Sequence, residues 1–206
     1  MPSPSLPLLR PRFVLASSSP ARLRLLRAAG LDPEVIPSDV PEDLPVGTPV
    51  AAAVAELAER KATAVASRPD LAGALVLGCD SLLELGGAAR GKPEGPGEAL
   101  ERWGEMAGNV GVLHTGHCLV DTGSGRAVTE VVRTTVRFAR PGPAELEAYL
   151  ATGEPLAAAG AFTLDGYSAP FVESIEGDYG NVIGVSLPLL RTLLQRLGHE
   201  VTSLWA

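Results

Sequence analysis

Ser17, Ser18, Ser19 and Arg22 fall within one short run, Phe13 to Leu26, whose order of residue types is suited to holding an anion. Phe13 to Ala16 is apolar and reads as a buried strand, Ser19 suits a helix N-cap, and Pro20 suits the first helical position, where its missing N–H costs nothing. The free N–H groups and positive dipole end of that helix point into the loop, where the Ser17 and Ser18 hydroxyls and the Arg22 guanidinium can join them around a phosphate. Arg22 precedes Leu25 and Leu26 on one helix face, whereas Arg24 and Arg27 share another face and are expected to be solvated. A capped helix after a strand, with no ligand at all, has the same signature.

Asp80 follows the continuous apolar run Ala74 to Cys79 and is expected at the carboxyl end of a buried strand, the edge where open α/β sheets place ligands. A carboxylate there can act as general base toward a water or hold a divalent ion that bridges phosphates; a strand-ending aspartate that caps the next turn reads the same way. Lys61 is the second outlier. The stripe Val50, Val54, Leu57, Lys61, Val65 follows helical spacing and sets an ammonium on an otherwise apolar face, where it must snorkel or meet an anion. Arg60, one position over, reads as solvated.

Lys92, in Gly91-Lys92-Pro93, sits at the exit of the hairpin after Asp80 and can face the same cleft or simply decorate an exposed turn. Glu42 and Asp43 offer oxygens for Mg²⁺ or Mn²⁺ from a loop whose acidity also serves solubility. His114 and His117 are three apart in a strand, point to opposite faces and cannot share a metal; both read as structural, with His114 the better pocket neighbour. There is no nucleophile elbow, P-loop, dinucleotide fingerprint or zinc spacing, so covalent catalysis is not suggested. Cations, hydroxyls and carboxylates at strand ends suit phosphoanhydride hydrolysis by an activated water.

These side chains must be positioned by an α/β framework. The pattern predicts strands at Phe13 to Ala16, Glu34 to Pro37 and Ala74 to Cys79, helices at Pro20 to Ala29 and Pro49 to Ala66, and a hairpin through Gly86-Gly87. A helix near Gly97 to Met106 and strands at Val112 to Val120 and Val128 to Phe138 come next, the last two antiparallel across a short turn, so the sheet is expected to be mixed. A helix near Pro143 to Ala151, a glycine-rich stretch from Gly153 to Gly184 with short strands at Ala161 to Leu164 and Phe171 to Ile175, and a helix from Leu187 to Leu197 complete the reading.

The 206 residues suffice for one good-sized core, and a net charge of −7 argues against nonspecific nucleic-acid binding. Cys79 and Cys118 lie in apolar runs without metal spacing, so a reducing cytoplasm is the simplest location. No apolar run approaches the roughly 18 to 20 residues that cross a bilayer. Residues 1–11, proline-rich and without a continuous apolar core, read as a frayed tail, leaving 12–206 as a single domain.

The ordered motifs resemble the Maf family of nucleoside triphosphate pyrophosphatases. Leu15 to Leu26 resembles the family's L-A-S-x-S-P-R-R-x-x-L-L, Cys79-Asp80-Ser81 its A-D-T, Gly91-Lys92-Pro93 its G-K-P, and Lys61 its helix lysine. Gly153-Glu154-Pro155-Leu156 and Ile175 to Gly184 resemble its closing motifs, so the likeness spans about Val14 to Leu197. It implies an elongated mixed sheet flanked by helices with a nucleotide-binding cleft. It also implies hydrolysis between the α- and β-phosphates to a nucleoside monophosphate and pyrophosphate, clearing certain or modified nucleotides from the pool.

By the same resemblance Asp80 is the proton acceptor and Ser17, Ser19, Arg22, Lys61, Ser81 and Lys92 hold substrate. Glu42 and Asp80 would place Mg²⁺ or Mn²⁺. The chain departs from the family pattern at Ala21, in place of the first arginine, at Ala157-Ala158-Ala159-Gly160, in place of D-K-A-G, and at Asp165, in place of the glutamine of I-Q-G. Asp165 presents acceptors only, so a dTTP- and UTP-preferring pocket does not follow, and Ala21 does not match the tryptophan of the 7-methyl-GTP branch either. The expected partner is a nucleoside triphosphate, with a homodimer allowed and neither nucleic acid nor membrane. A noncatalytic nucleotide-binding regulator of cell division and an enzyme acting on another phosphorylated small molecule are the competing readings.

Overall fold

The computed structural model describes residues 10–45 and 47–206. The expected tail therefore lies outside the described residues except for Arg10 and Pro11; the Arg10 guanidinium donates to the Leu204 carbonyl.

A sheet of seven strands forms the centre. Strands β1 (Phe13–Leu15), β2 (Glu34–Val35) and β3 (Leu75–Leu85) are followed by β4 (Ala88–Arg90), β5 (Val110–Asp121), β6 (Arg126–Phe138) and β7 (Val172–Glu176). The order is β2-β1-β3-β5-β6-β7, with β4 on the flank of β3. β1 runs parallel to both β2 and β3, and the remaining pairs are antiparallel, so the sheet is mixed as the sequence predicts. Helices α1 (Pro20–Ala28), α2 (Val50–Ala66), α3 (Pro96–Met106), α4 (Pro143–Ala151), α5 (Tyr179–Ile183) and α6 (Leu187–Leu197) complete the architecture.

One feature of strand pairing opens the site. β1 pairs with β3 only as far as Leu15 opposite Leu77, and β4 takes up the same edge only from Leu83, so that among the described residues no strand pairs with the edge of β3 between them. β5 covers the other edge of β3 continuously from Leu75 to Glu84. The predicted strand end at Cys79 is thus corrected: Asp80 lies in the middle of an eleven-residue strand, and it is β1 that ends beside it. Alternation sends Gly78, Asp80 and Leu82 to the α2 face and Cys79, Ser81 and Leu83 to the opposite face.

The two faces are packed differently. On one, Leu15, Leu75, Leu77 and Leu119 pack against Leu190, Leu193, Leu194 and Leu197 of α6, all buried. On the other, α2 rests on the strands with small residues, Ala53, Ala58 and Ala62. A Cβ on Gly78 would come within 2.4 Å of the Ala58 carbonyl oxygen, and one on Gly116 within 2.0 Å of the Val54 carbonyl oxygen. No real contact is that short, so bare strand backbone is what lets α2 lie so close. At the far end, Trp103 of α3 meets Phe138, Tyr149 and Phe171 edge-to-face with centroids 5.6 to 5.9 Å apart. Contacts of this geometry add about 0.5–1.5 kcal/mol each beyond area burial.

The expected strand at Ala161 to Leu164 does not form. Residues 159–161 make a 3₁₀ turn in which Ala161 has φ of 59°, a left-handed conformation that breaks strand geometry. The five-residue α5, between Asp178 and Gly184, is an element the sequence reading lacks.

Candidate active site

Because α2 sits so close to the sheet, Lys61 reaches the carboxylate of β3. Its Nζ donates to Asp80 Oδ1 at 2.6 Å and to Glu42 Oε1 at 2.6 Å. Lys61 and Asp80 side chains are only 11% and 10% exposed, while Glu42 is 64% exposed, so the ammonium links a buried carboxylate to one open to solvent. Burial pushes the Asp80 carboxyl above its ordinary value; the nearby Lys61 and Arg22 charges pull the other way, and Glu42 adds to the rise. Burial opposes ionisation of Glu42 as well, yet its bond to Lys61 and the charges of Lys61, Lys92 and Arg22 hold its carboxyl below the ordinary value.

From the opposite face comes Arg22. Ser19 caps α1 by accepting from the Arg22 N–H at 3.4 Å, and Pro20 occupies the first turn, as the sequence predicts. The Arg22 guanidinium donates to Ser17 Oγ at 3.0 Å, Ser81 Oγ at 3.1 Å and the Gly184 carbonyl at 3.0 Å. Gly184 ends α5 with φ of 116°, and a Cβ there would sit 2.8 Å from Arg22 Nε. Ser81 also bonds Thr115 Oγ1 at 3.0 Å, and Thr115 donates to the Asn181 carbonyl. The serine loop, β3, β5 and α5 thereby fix one fork of donors.

These groups line a cleft of two lobes. The larger, about 680 Å³, takes in Asp80, Ser81 and Asp165 with an apolar lining from Leu44, Leu57, Phe162, Val182 and Ile183. The smaller, about 160 Å³, takes in Ser17, Asp39 and Val40 without such a lining. Ser18, Ser19, Arg22, Glu42, Lys61 and Lys92 border both, so the three cations stand where the lobes join. The cleft threads the edge of β3 between β1 and β4: Asp80 and Lys61 approach from the α2 face, Ser81 and Arg22 from the other.

All of the candidate residues drawn from the sequence, Ser17, Ser19, Arg22, Glu42, Lys61, Asp80, Ser81, Lys92 and Asp165, border this cleft. Two expectations are corrected. Arg24 is not merely solvated: it lines the large lobe and pairs with Asp165 Oδ2 at 3.0 Å, while Thr163 Oγ1 bonds the other Asp165 oxygen. His114 is not a pocket neighbour; its Nε2 bonds Glu84 at 2.8 Å and it borders neither lobe. His117, on the opposite face, is structural as expected. Its Nδ1 donates to the Thr115 carbonyl and its Nε2 accepts from the Ser186 N–H at the start of α6.

Among the described residues no group of three or more His, Cys, Asp or Glu side chains forms a metal cage. Two carboxylates, Asp80 and Glu42, nonetheless converge on one cation, the Lys61 ammonium. That donor set fits Mg²⁺, which is ordinarily held by one or two carboxylates together with substrate phosphates.

A mixed sheet with a two-lobed cleft, cations at its waist and a buried carboxylate among them defines an α/β protein with a cation-lined cleft. The family model described as Maf-like protein matches residues 12–197, and the chain belongs to the Maf family. It is similar to a nucleoside triphosphate pyrophosphatase of Streptomyces coelicolor, 58% identical over 197 residues, covering 96% of each chain. It is likewise similar to proteins of the same name from Salinispora tropica, 51% identical over 99% of this chain and 90% of that one, and from Nostoc punctiforme, 48% identical over 95% and 98%. No helix of the described residues is long and apolar enough to cross a membrane.

Proposed function

We propose that this protein is a nucleoside triphosphate pyrophosphatase that cuts between the α- and β-phosphates. The observation that carries this reading is Lys61 held between Asp80 and Glu42 at the junction of an apolar-lined lobe and a polar one. A nucleoside suits the first lobe and the departing pyrophosphate the second, which places the scissile bond beside Asp80.

In this scheme Arg22, Lys61 and Lys92 offset phosphate charge, and the Ser17, Ser19 and Ser81 hydroxyls orient the oxygens. Asp80 takes the proton of the attacking water. Its carboxyl is already raised by burial, and phosphate that draws Lys61 away raises its proton affinity further. Asp80 and Glu42 would hold Mg²⁺ or Mn²⁺, which supplies charge neutralisation across the phosphates when bound. Asp165 contacts the base, and Arg24, its partner, supplies the donor that a lone carboxylate lacks. Residues 12–206 act as one domain in the cytoplasm.

Purified protein incubated with a panel of nucleoside triphosphates and Mg²⁺ or Mn²⁺ is expected to release pyrophosphate and nucleoside monophosphate. Release of orthophosphate and nucleoside diphosphate, or no turnover of any triphosphate, would sink this reading. Thermal stabilisation by nucleotide without turnover would favour the noncatalytic regulator.

A further inference from the structure

Lys92 borders both lobes, yet it makes no ion pair among the described residues; what fixes it is the backbone on either side. That backbone is held from behind by α3. The Arg102 side chain is only 10% exposed, and its guanidinium donates to the Gly91 carbonyl and, at 3.4 Å, to the Lys92 carbonyl. Its ion-pair partner Glu98, one helical turn away, accepts from the Glu94 N–H at 2.7 Å. The pair therefore clasps the chain before and after Lys92-Pro93.

The Gly91 carbonyl has a second donor, the Gly160 N–H at 2.9 Å. Gly160 adjoins Ala161, whose carbonyl accepts from Trp103 Nε1 at 2.9 Å and Tyr149 Oη at 3.2 Å. Ala161 holds a left-handed φ of 59°, a strained conformation that persists only where surroundings over-determine it. The Gly91 carbonyl thus ties the Lys92 turn to the Ala157 to Phe162 wall of the large lobe. A guanidinium on an inward helix face could have served packing alone, but its donors divide between Glu98 and the carbonyls of one cleft-lining turn. A buried guanidinium satisfied in this way orients what it binds.

We propose that Arg102, with Glu98, is a positioning residue: it sets Lys92 at the junction of the lobes and holds the Gly91 carbonyl through which that turn is tied to the wall at residues 157–162. The inference rests on Lys92 being a phosphate contact, as proposed above.

A double-mutant cycle tests it. Arg102→Met alone is expected to raise KM for the triphosphate about tenfold with kcat within about twofold, the size of one lost charge-assisted hydrogen bond. In a Lys92→Met background the same substitution should change kcat/KM by less than about twofold, because its effect runs through Lys92. Arg102→Lys, which keeps the charge on a single donor nitrogen, should recover part of the loss. An undiminished effect in the Lys92→Met background would overturn the proposal. Amide exchange decides independently of activity: in Arg102→Met the Gly160 and Glu94 N–H groups should exchange faster while β5 stays protected, and unchanged exchange at both would also overturn it. A wild-type protein that turns over no triphosphate would remove the proposed function but leave the exchange result to judge Arg102.

Discussion

Gly116 stands directly opposite Asp80 in the β3–β5 ladder, and the space a side chain would need there is taken by the Val54 carbonyl of α2. The helix carrying Lys61 is seated on bare backbone next to the carboxylate that Lys61 must reach. A methyl group at this point moves the helix, and with it the ammonium. Gly116→Ala is expected to destabilise the protein by about 1–3 kcal/mol through overpacking. Its kcat/KM should fall more than that of Gly125→Ala, at an exposed turn, and thermal melts with steady-state kinetics check both effects.

Removing the proton acceptor should leave binding largely intact. Asp80→Asn keeps the shape of the side chain, and turnover should drop by roughly 10²- to 10⁴-fold, the range of general-base contributions. Nucleotide affinity measured by titration calorimetry should change far less. Full turnover in this variant would remove Asp80 from the chemistry.

The acid limb of the pH–rate profile should report the Asp80 carboxyl. The base must be ionised, so kcat/KM falls as pH drops through its pKa, which burial raises in the metal-free protein and a bound cation draws back down. Lys61→Met removes the charge that pulls this pKa down, so the remaining activity should show an acid limb shifted to higher pH.

His117 gives stability a pH dependence of opposite origin. Burial, helped by the Arg22 charge, lowers its pKa to about 3, against an ordinary value of 6.5. A protonated ring would lose the Nε2 lone pair that receives the Ser186 N–H. The unfolded chain binds this proton first as pH falls. The contribution to stability is therefore complete above about 6.5 and is lost progressively toward pH 3. Urea midpoints between pH 7 and 4 should fall less steeply in a folded His117→Gln variant than in the wild type.

Base choice should respond to the Arg24–Asp165 pair. Asp165→Asn removes the charge and one acceptor, and Arg24→Ala removes the donor, so each is expected to shift kcat/KM ratios between bases by about tenfold or more. Equal losses on every triphosphate would place the pair outside base recognition.

Much of the site is legible in the sequence because its signals are local. The serine loop, Ser19 cap and Pro20 fix where α1 starts, and the phase of Lys61 within an apolar stripe announces an ammonium that must snorkel or meet an anion. What escapes local reading depends on partners distant in the chain. Arg24 looks solvated by helical phase alone, since Asp165 lies 141 residues further on. The strand holding Asp80 continues because β4 and β5 pair with its second half, Ser81 to Leu85, where Ser81 and Glu84 interrupt the apolar run of the first half. The failed strand at Ala161 has apolar composition, but its backbone is turned by Gly160 and held by Trp103 and Tyr149, which composition does not reveal.

The interruption in pairing along β3 makes the sheet a perforated wall. The two lobes of the cleft share Arg22, Lys61 and Lys92, so the cations stand where one lobe passes into the other. In the proposed reaction the two products therefore begin in different lobes, the nucleoside end in the apolar-lined one and the pyrophosphate in the other.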